Sequence, residues 1–180
     1  MKKILTLVAA LLLTVSFAHA QLGSTTGTTT VSVTVVAEAA LTVTNGTTTL
    51  ASAGTNFTNY TGSTGLTYYV RTTQSGGSGS LTLKVTSDFS PANGPSVANP
   101  PSTGDKLAYT CTVSGAGTAC TGSVTSSTST GTSVVTFGAN AHTVTFPGGD
   151  TATTAWTLTN DPKYYTGSYS ATVTYTISAS

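Results

Sequence analysis

Residues 28 to 45 read TTTVSVTVVAEAALTVTN. The odd positions Val31, Val33, Val35, Ala37, Ala39, Leu41 and Val43 are all apolar. The even positions are mostly polar (Ser32, Thr34, Glu38, Thr42, Thr44), with Val36 and Ala40 as exceptions. Alternation of this kind is the signature of a half-buried β-strand. Val31 to Val43 at ~3.3 Å per residue would extend roughly 43 Å, whereas strands usually run about 5–6 residues. Three arrangements account for the length. The ribbon bends at Val35-Val36-Ala37 and crosses between two sheets, or it is one overlong strand, or its first half leaves its own domain. In the third, Thr29 to Val36 add as a strand to a neighbouring subunit. Such a donor needs a flexible leader, strict alternation and β-branched residues, and residues 21–36 supply all three. The candidate donor side chains are Val31, Val33 and Val35.

The ribbon follows a segment with the layout of a cleaved secretory signal. Lys2 and Lys3 give a basic start, Ile4 to Phe17 an apolar stretch, and Ala18-His19-Ala20 a small-x-small cleavage site. The apolar stretch is short for a bilayer span of ~20 residues. The expected organisation is a signal peptide over 1–20, a leader and candidate donor strand over 21–36, and one domain over 37–180. The product is expected to be secreted (extracellular, at the cell surface or in the periplasm), with no stable membrane insertion after signal cleavage.

Without Lys2 and Lys3 four basic residues (Arg71, Lys84, Lys106, Lys163) face five acidic ones (Glu38, Asp88, Asp105, Asp150, Asp161), a net charge of 4 − 5 = −1. Charged residues make up 6 % of the chain, against roughly a quarter in ordinary domains. This leaves no basic footprint for nucleic acid and little charge to oppose self-association. Disorder calls for low hydrophobicity with high net charge. A 38 % apolar fraction alternating with Thr predicts a folded β protein instead.

Strands are expected around Leu66–Arg71 and Leu81–Thr86, joined by the hairpin loop SGGSG at 75–79. Further strands are expected at Leu107–Val113, Ala119–Val124, Val134–Phe137, His142–Phe146, Ala155–Thr159 and Tyr169–Ile177. Residues 90–104 hold four of the six prolines and read as a surface loop, because proline cannot serve a sheet interior. Many short strands with regular turn signals and no helical periodicity predict an all-β antiparallel sandwich.

Cys111 and Cys120 flank the turn Ser114-Gly115-Ala116-Gly117. A four-residue hairpin loop sets them opposite each other, within reach of disulfide geometry. An oxidising compartment favours the bond. A redox pair or a metal site is the alternative, and no histidine cluster accompanies the thiols.

Catalytic signatures are sparse. His142 is the one histidine beyond the signal, and no G-x-S-x-G surrounds a serine. His142 reads as a partly buried structural residue at a strand start. The aspartates stand beside turns, where carboxylates cap backbone and hydrate loops. No catalytic residue, cofactor or metal site is assigned, and the chain is expected not to be an enzyme. Trp156, Tyr164 and Tyr165 are the candidate ligand platform of a carbohydrate-binding module.

The ribbon, the later Phe137-Gly138 and the closing YTGSYSATVTYTIS together resemble secreted bacterial fimbrial subunits of the spore-coat-U or archaic chaperone–usher type. Gly167, Tyr169 and Val173 match a closing Gly-x-Tyr-x-x-x-Val-x-Val strand, with Tyr175 in place of the last Val. The resemblance covers about a quarter of the chain. It departs at the cysteines, one of which those families often place in the first core strand. It implies an incomplete immunoglobulin-like sandwich, completed by the next subunit's N-terminus into a homopolymer, with a periplasmic chaperone or usher as further partner. The function expected is a structural subunit of a surface filament, pilus or coat. The alternative is a soluble carbohydrate-binding or adhesin module.

Overall fold

A computed structural model describes residues 26–52, 54 and 56–180. The expected signal segment and the first residues of the expected leader, 1–25, lie outside them. The chain divides into two units, 1–34 and 35–180. Of the first, residues 26–34 are described, and none is in a strand.

The second unit is an antiparallel β-sandwich. Its strands are β1 (Glu38–Val43), β2 (Ala51–Ser52), β3 (Tyr60–Arg71), β4 (Gly79–Ser90), β5 (Leu107–Ser114), β6 (Thr118–Ala119), β7 (Val124–Thr125), β8 (Thr132–Phe137), β9 (Asp150–Leu158) and β10 (Ser170–Ala179). One sheet runs β1-β3-β9-β5-β7, with β2 also on β3; the other runs β10-β4-β8-β6.

The core follows from alternation. Leu66, Tyr68 and Val70 of β3, Leu81, Leu83 and Val85 of β4, Tyr109 of β5, and Ala152, Trp156 and Leu158 of β9 are buried between the layers. Their alternate neighbours, such as Thr82, Lys84, Thr151 and Thr153, point away from the core. In β8 both Val134 and Val135 are buried. A register shift explains it: Leu81 pairs with Val135 and Thr82 with Ser133, so Val134 is the extra residue of a bulge. Buried polar groups mostly find partners, as burial demands, Asp150 Oδ1 and Asp161 Oδ2 being exceptions among the described residues. Trp156 Nε1 donates to Thr64 Oγ1 at 2.9 Å within one sheet, whereas Tyr109 Oη donates to Ser133 O at 2.9 Å and ties that sheet to the other.

Several local expectations are corrected. The long ribbon is not one strand: pairing begins at Glu38, and residues 26–37 are outside any strand. The SGGSG segment is not a hairpin loop, because β3 and β4 belong to different sheets; it arches between layers. The same holds for Ser114–Gly117, which joins β5 of one sheet to β6 of the other. Ala119–Val124 is no continuous strand, only the ends of β6 and β7. His142–Phe146 forms a single bridge, His142 to Arg71, where this segment carries on the edge of β3 beyond Asp150.

Candidate functional site

The sandwich has two seams between its layers, and they are built differently. On one side the sheets end in β7 and β6, two residues each. Here Cys111 of β5 is bonded to Cys120, whose amide donates to Val134 O of β8. Short edge strands and a covalent staple close this seam. The Ser114–Gly117 arch is held from below by Asp150, whose Oδ2 accepts from Ala116 N at 2.9 Å. Gly115, at φ 117°, lies so close that a Cβ would sit 2.2 Å from the Asp150 Cγ. Tyr68 Oη donates to Ala116 O, and burial, with the nearby Asp150 charge, pushes its hydroxyl up to about 12.

On the other side the sheets end in β1 and β10, which face each other. β10 spans ten residues, pairs with β4 and has no partner on its other edge among the described residues. β1 likewise pairs with β3 alone. The consequence is visible in the side chains. Leu81, Leu83 and Val85 of β4 are 0–1 % exposed. Their partners Ile177, Tyr175 and Val173 on β10 share the inner face yet are only half-buried. On β1, Ala39 and Leu41 are half-buried and Val43 is exposed. The core is thus left partly uncovered along one edge.

Beyond its Ser170–Val173 end, that edge carries none of the usual defences among the described residues. Sheet edges are normally guarded by charge, proline, bulges or a covering element. The outer face of β10 presents Ser170, Thr172, Thr174, Thr176 and Ser178, all uncharged. Its two register shifts are confined to the Ser170–Val173 end.

The residues that the sequence singles out lie in different surroundings. Val31 and Val33 are 90 % and 84 % exposed, and Val35 is exposed as well. Trp156 is 5 % exposed, in the core beside Tyr109 at 5.4 Å between ring centroids. Tyr164 is half-buried, and Tyr165 is exposed. The structure therefore does not bring these three aromatics to one surface. His142 is exposed rather than partly buried, its Nδ1 2.8 Å from Asn140 O. Tyr169 lies just before β10 against Gly94, where a Cβ would come within 2.2 Å of its ring.

The aspartates do more than hydrate loops. Asp88 organises the proline-rich segment by accepting from Ser96 Oγ and the amides of Phe89, Val97 and Ala98. Partial desolvation opposes ionisation, but these hydrogen bonds win and hold the carboxyl below its ordinary range. Asp105 and Asp161, far apart in sequence, bring their carboxyls close enough to perturb each other's ionisation. Asp105 Oδ2 accepts from Ser102 N and Tyr164 Oη; Asp161 Oδ1 accepts from Lys163 N. Burial and the Asp161 carboxyl raise Asp105, while bonds from Ser102 and Lys163 lower Asp161. Sequence reasoning missed this pair because nothing local signals a contact between two loops.

Among the described residues, no helix is long and apolar enough to cross a membrane, and no three His, Cys, Asp or Glu side chains converge on a metal-sized site. No protein-family model, curated protein or solved structure matches the chain.

Proposed function

We propose that the chain is a secreted structural subunit of an extracellular filament, pilus or coat, which assembles by adding its N-terminal segment as a strand to a neighbouring copy. The acceptor is the free edge of β10 together with the half-covered inner face behind it. In this reading the domain is an incomplete sandwich of the immunoglobulin type, and the protein has no catalytic role.

The observation that carries the reading is the uncharged, unpaired edge of β10, whose inner-face side chains are half-buried where Leu81, Leu83 and Val85 of the neighbouring β4 are fully buried. The dimensions agree. Residues 26–36 extended at ~3.3 Å each span roughly 36 Å, and the ten residues of β10 roughly 34 Å. Val31, Val33 and Val35 share one side of such a strand and suit the half-covered face.

Direction agrees as well. β1 starts at Glu38 opposite Arg71, and Thr73 N donates to Ser180 O at 3.0 Å. The chain therefore enters the domain at the end where β10 finishes. A leader leaving there and entering the next copy at its Ser170 end runs antiparallel to that copy's β10, in the better-bonded ladder. A head-to-tail contact of this kind does not close on itself and grows a filament.

The alternative, a soluble carbohydrate-binding or adhesin module, draws less support, since its aromatic platform is divided between core and surface. The test is to image the secreted chain beside Val31→Ser/Val33→Ser/Val35→Ser by negative-stain electron microscopy, both recovered from the producing cell. Filaments from the parent and dispersed particles from the variant support strand donation. Filaments from both, or dispersed particles from both, overturn it.

A further inference from the structure

We infer that copies also meet end to end, the Val144–Phe146 end of one packing on the Phe57–Tyr165 end of the next. The inference rests on the filament reading above and names a second contact within it.

Large apolar side chains left exposed are few: Val31, Val33, Val35, Val36, Val43, Phe57, Val144, Phe146 and Tyr165. Apart from Val43 at the close of β1, they lie in the leader or at one of two opposite ends of the sandwich. Thr143 N donates to Val70 O at 2.9 Å, and the Phe146 ring stacks edgewise on Tyr69 at 6.0 Å. That puts Val144 and Phe146, 75 % and 85 % exposed, at the end where β3 finishes. Phe57 precedes the start of β3. Asn160 Nδ2 donates to Thr58 O at 3.1 Å, and Tyr165 N donates to Asn93 O at 2.9 Å, just past the end of β4. Phe57 and Tyr165 therefore share the opposite end. Each end thus carries two exposed large apolar side chains, surface that a contact between copies would cover.

The occupant follows from the course of the chain. Arg71 Nε donates to Val36 O at 2.8 Å, so the chain joins the domain beside Phe146. A groove of about 420 Å³ opens there, lined by Glu38, Ala40, Tyr69, Arg71, His142 and Phe146. Only Ala37 separates residues 26–36 from β1, so a leader paired along the whole of β10 leaves no spacer between the two copies. A copy that accepts it at the Ser170 end of β10 is drawn against this groove with its Phe57–Tyr165 end foremost. Charge does not oppose the approach. Glu38 and Arg71 pair with each other at 3.0 Å, and at the opposite end Lys106 and Lys163 stand among Asp88, Asp105 and Asp161, a net charge of 2 − 3 = −1.

The test places cysteines at Val144→Cys and Tyr165→Cys in the full secreted chain, whose own two cysteines are bonded to each other. Assembled material is treated with a short bismaleimide and run on a denaturing gel. A ladder of dimers, trimers and higher species is expected from the double variant. Each single variant should give nothing beyond a dimer. A companion variant, Phe146→Ser, removes an exposed side chain and leaves the fold intact. It should raise the concentration needed for assembly by about tenfold, the effect of a modest hot spot. Leader-dependent filaments without a ladder, and unmoved by Phe146→Ser, would overturn the end-to-end contact while strand donation stands. Absence of leader-dependent assembly would overturn both.

Discussion

Cys111 lies in β5 of one sheet and Cys120 just past β6 of the other, so their bond, with Cα atoms 5.4 Å apart, joins the two layers rather than two neighbours in one sheet. It closes the seam opposite the one that β1 and β10 leave open. Among the described residues, the molecule is fastened on one side and half-buried along the other. A domain that served alone would gain by covering both sides, since each half-buried Val or Ile on β10 forgoes part of the roughly 1.5–3 kcal/mol that full burial provides.

The staple should be worth roughly 2–3 kcal/mol in the loop-closure description for so short a loop. Cys111→Ser/Cys120→Ser is expected to remain folded, with its denaturant midpoint lowered accordingly. Urea unfolding followed by tryptophan fluorescence checks this, because Trp156 is buried and is the sole tryptophan. An unchanged midpoint would mean that the closed seam owes its order to β6 and β7 alone.

Trp156→Ala should cost about 3–5 kcal/mol, the usual loss for a large aromatic removed from a core. The loss includes the bond to Thr64 Oγ1, which would be left with Thr48 Oγ1 at 2.7 Å. By contrast Tyr165→Ala, at an exposed site, should change stability by less than about 0.5 kcal/mol. Thermal unfolding of the two variants separates a core role for Trp156 from a surface one.

The Asp105–Asp161 pair predicts a pH dependence with a definite sign. Two neighbouring carboxyls titrate as a pair, here with Asp105 raised and Asp161 lowered, so that between the two values they hold a single proton. Asp105 is raised, so its contribution is complete below the ordinary carboxyl value and is lost as pH rises through the raised one. Asp161 is lowered, so its contribution is present above the ordinary value and fades as pH falls through the lowered one. The pair should therefore hold best between the two values and loosen towards neutral pH. Asp105→Asn supplies a permanent donor in place of the proton. Its melting temperature should gain on the parent's as pH rises from about 4 to 7. Parallel curves for the two proteins would show that no proton is shared.

Donor and acceptor functions should be separable. Ile177→Lys places a charge on the half-covered face of β10 and should abolish acceptance while leaving the leader competent. The leader variant Val31→Ser/Val33→Ser/Val35→Ser should do the converse. These valines are exposed and outside any strand, so their loss should shift domain stability by less than about 0.5 kcal/mol. Neither variant alone should assemble. Mixed, they should form heterodimers and nothing longer, seen by size-exclusion chromatography with light scattering.

Much of the architecture is legible in the amino-acid sequence. Period-2 alternation locates β3, β4, β5, β9 and β10, because side chains of a strand half-buried on one face must alternate. It does not say which strands pair. Leu81–Val85 and Leu66–Val70 look like the arms of a hairpin, yet they lie in facing sheets, since SGGSG serves an arch as well as a turn. The bond between Cys111 and Cys120 is expected from a hairpin register that does not exist; the short separation brings the two residues together in either geometry. Trp156 shares its face of β9 with Ala152 and Leu158 while Thr151, Thr153 and Thr157 take the other, so alternation itself favours the core position over the ligand platform. The open edge of β10 and the Asp105–Asp161 contact depend on pairing across the whole chain, so no local pattern contains them.

Strand donation requires that residues 26–36 of one copy pair with β10 of another, and amide hydrogen exchange reads that ladder directly. Exchange of the segment 170–179 should be compared between the assembled chain and the Val31→Ser/Val33→Ser/Val35→Ser variant. The amides of β10 that face its free edge should exchange rapidly in the variant and become protected on assembly, together with those of residues 26–36. Assembly that leaves both segments exchanging as they do in the variant would contradict strand donation.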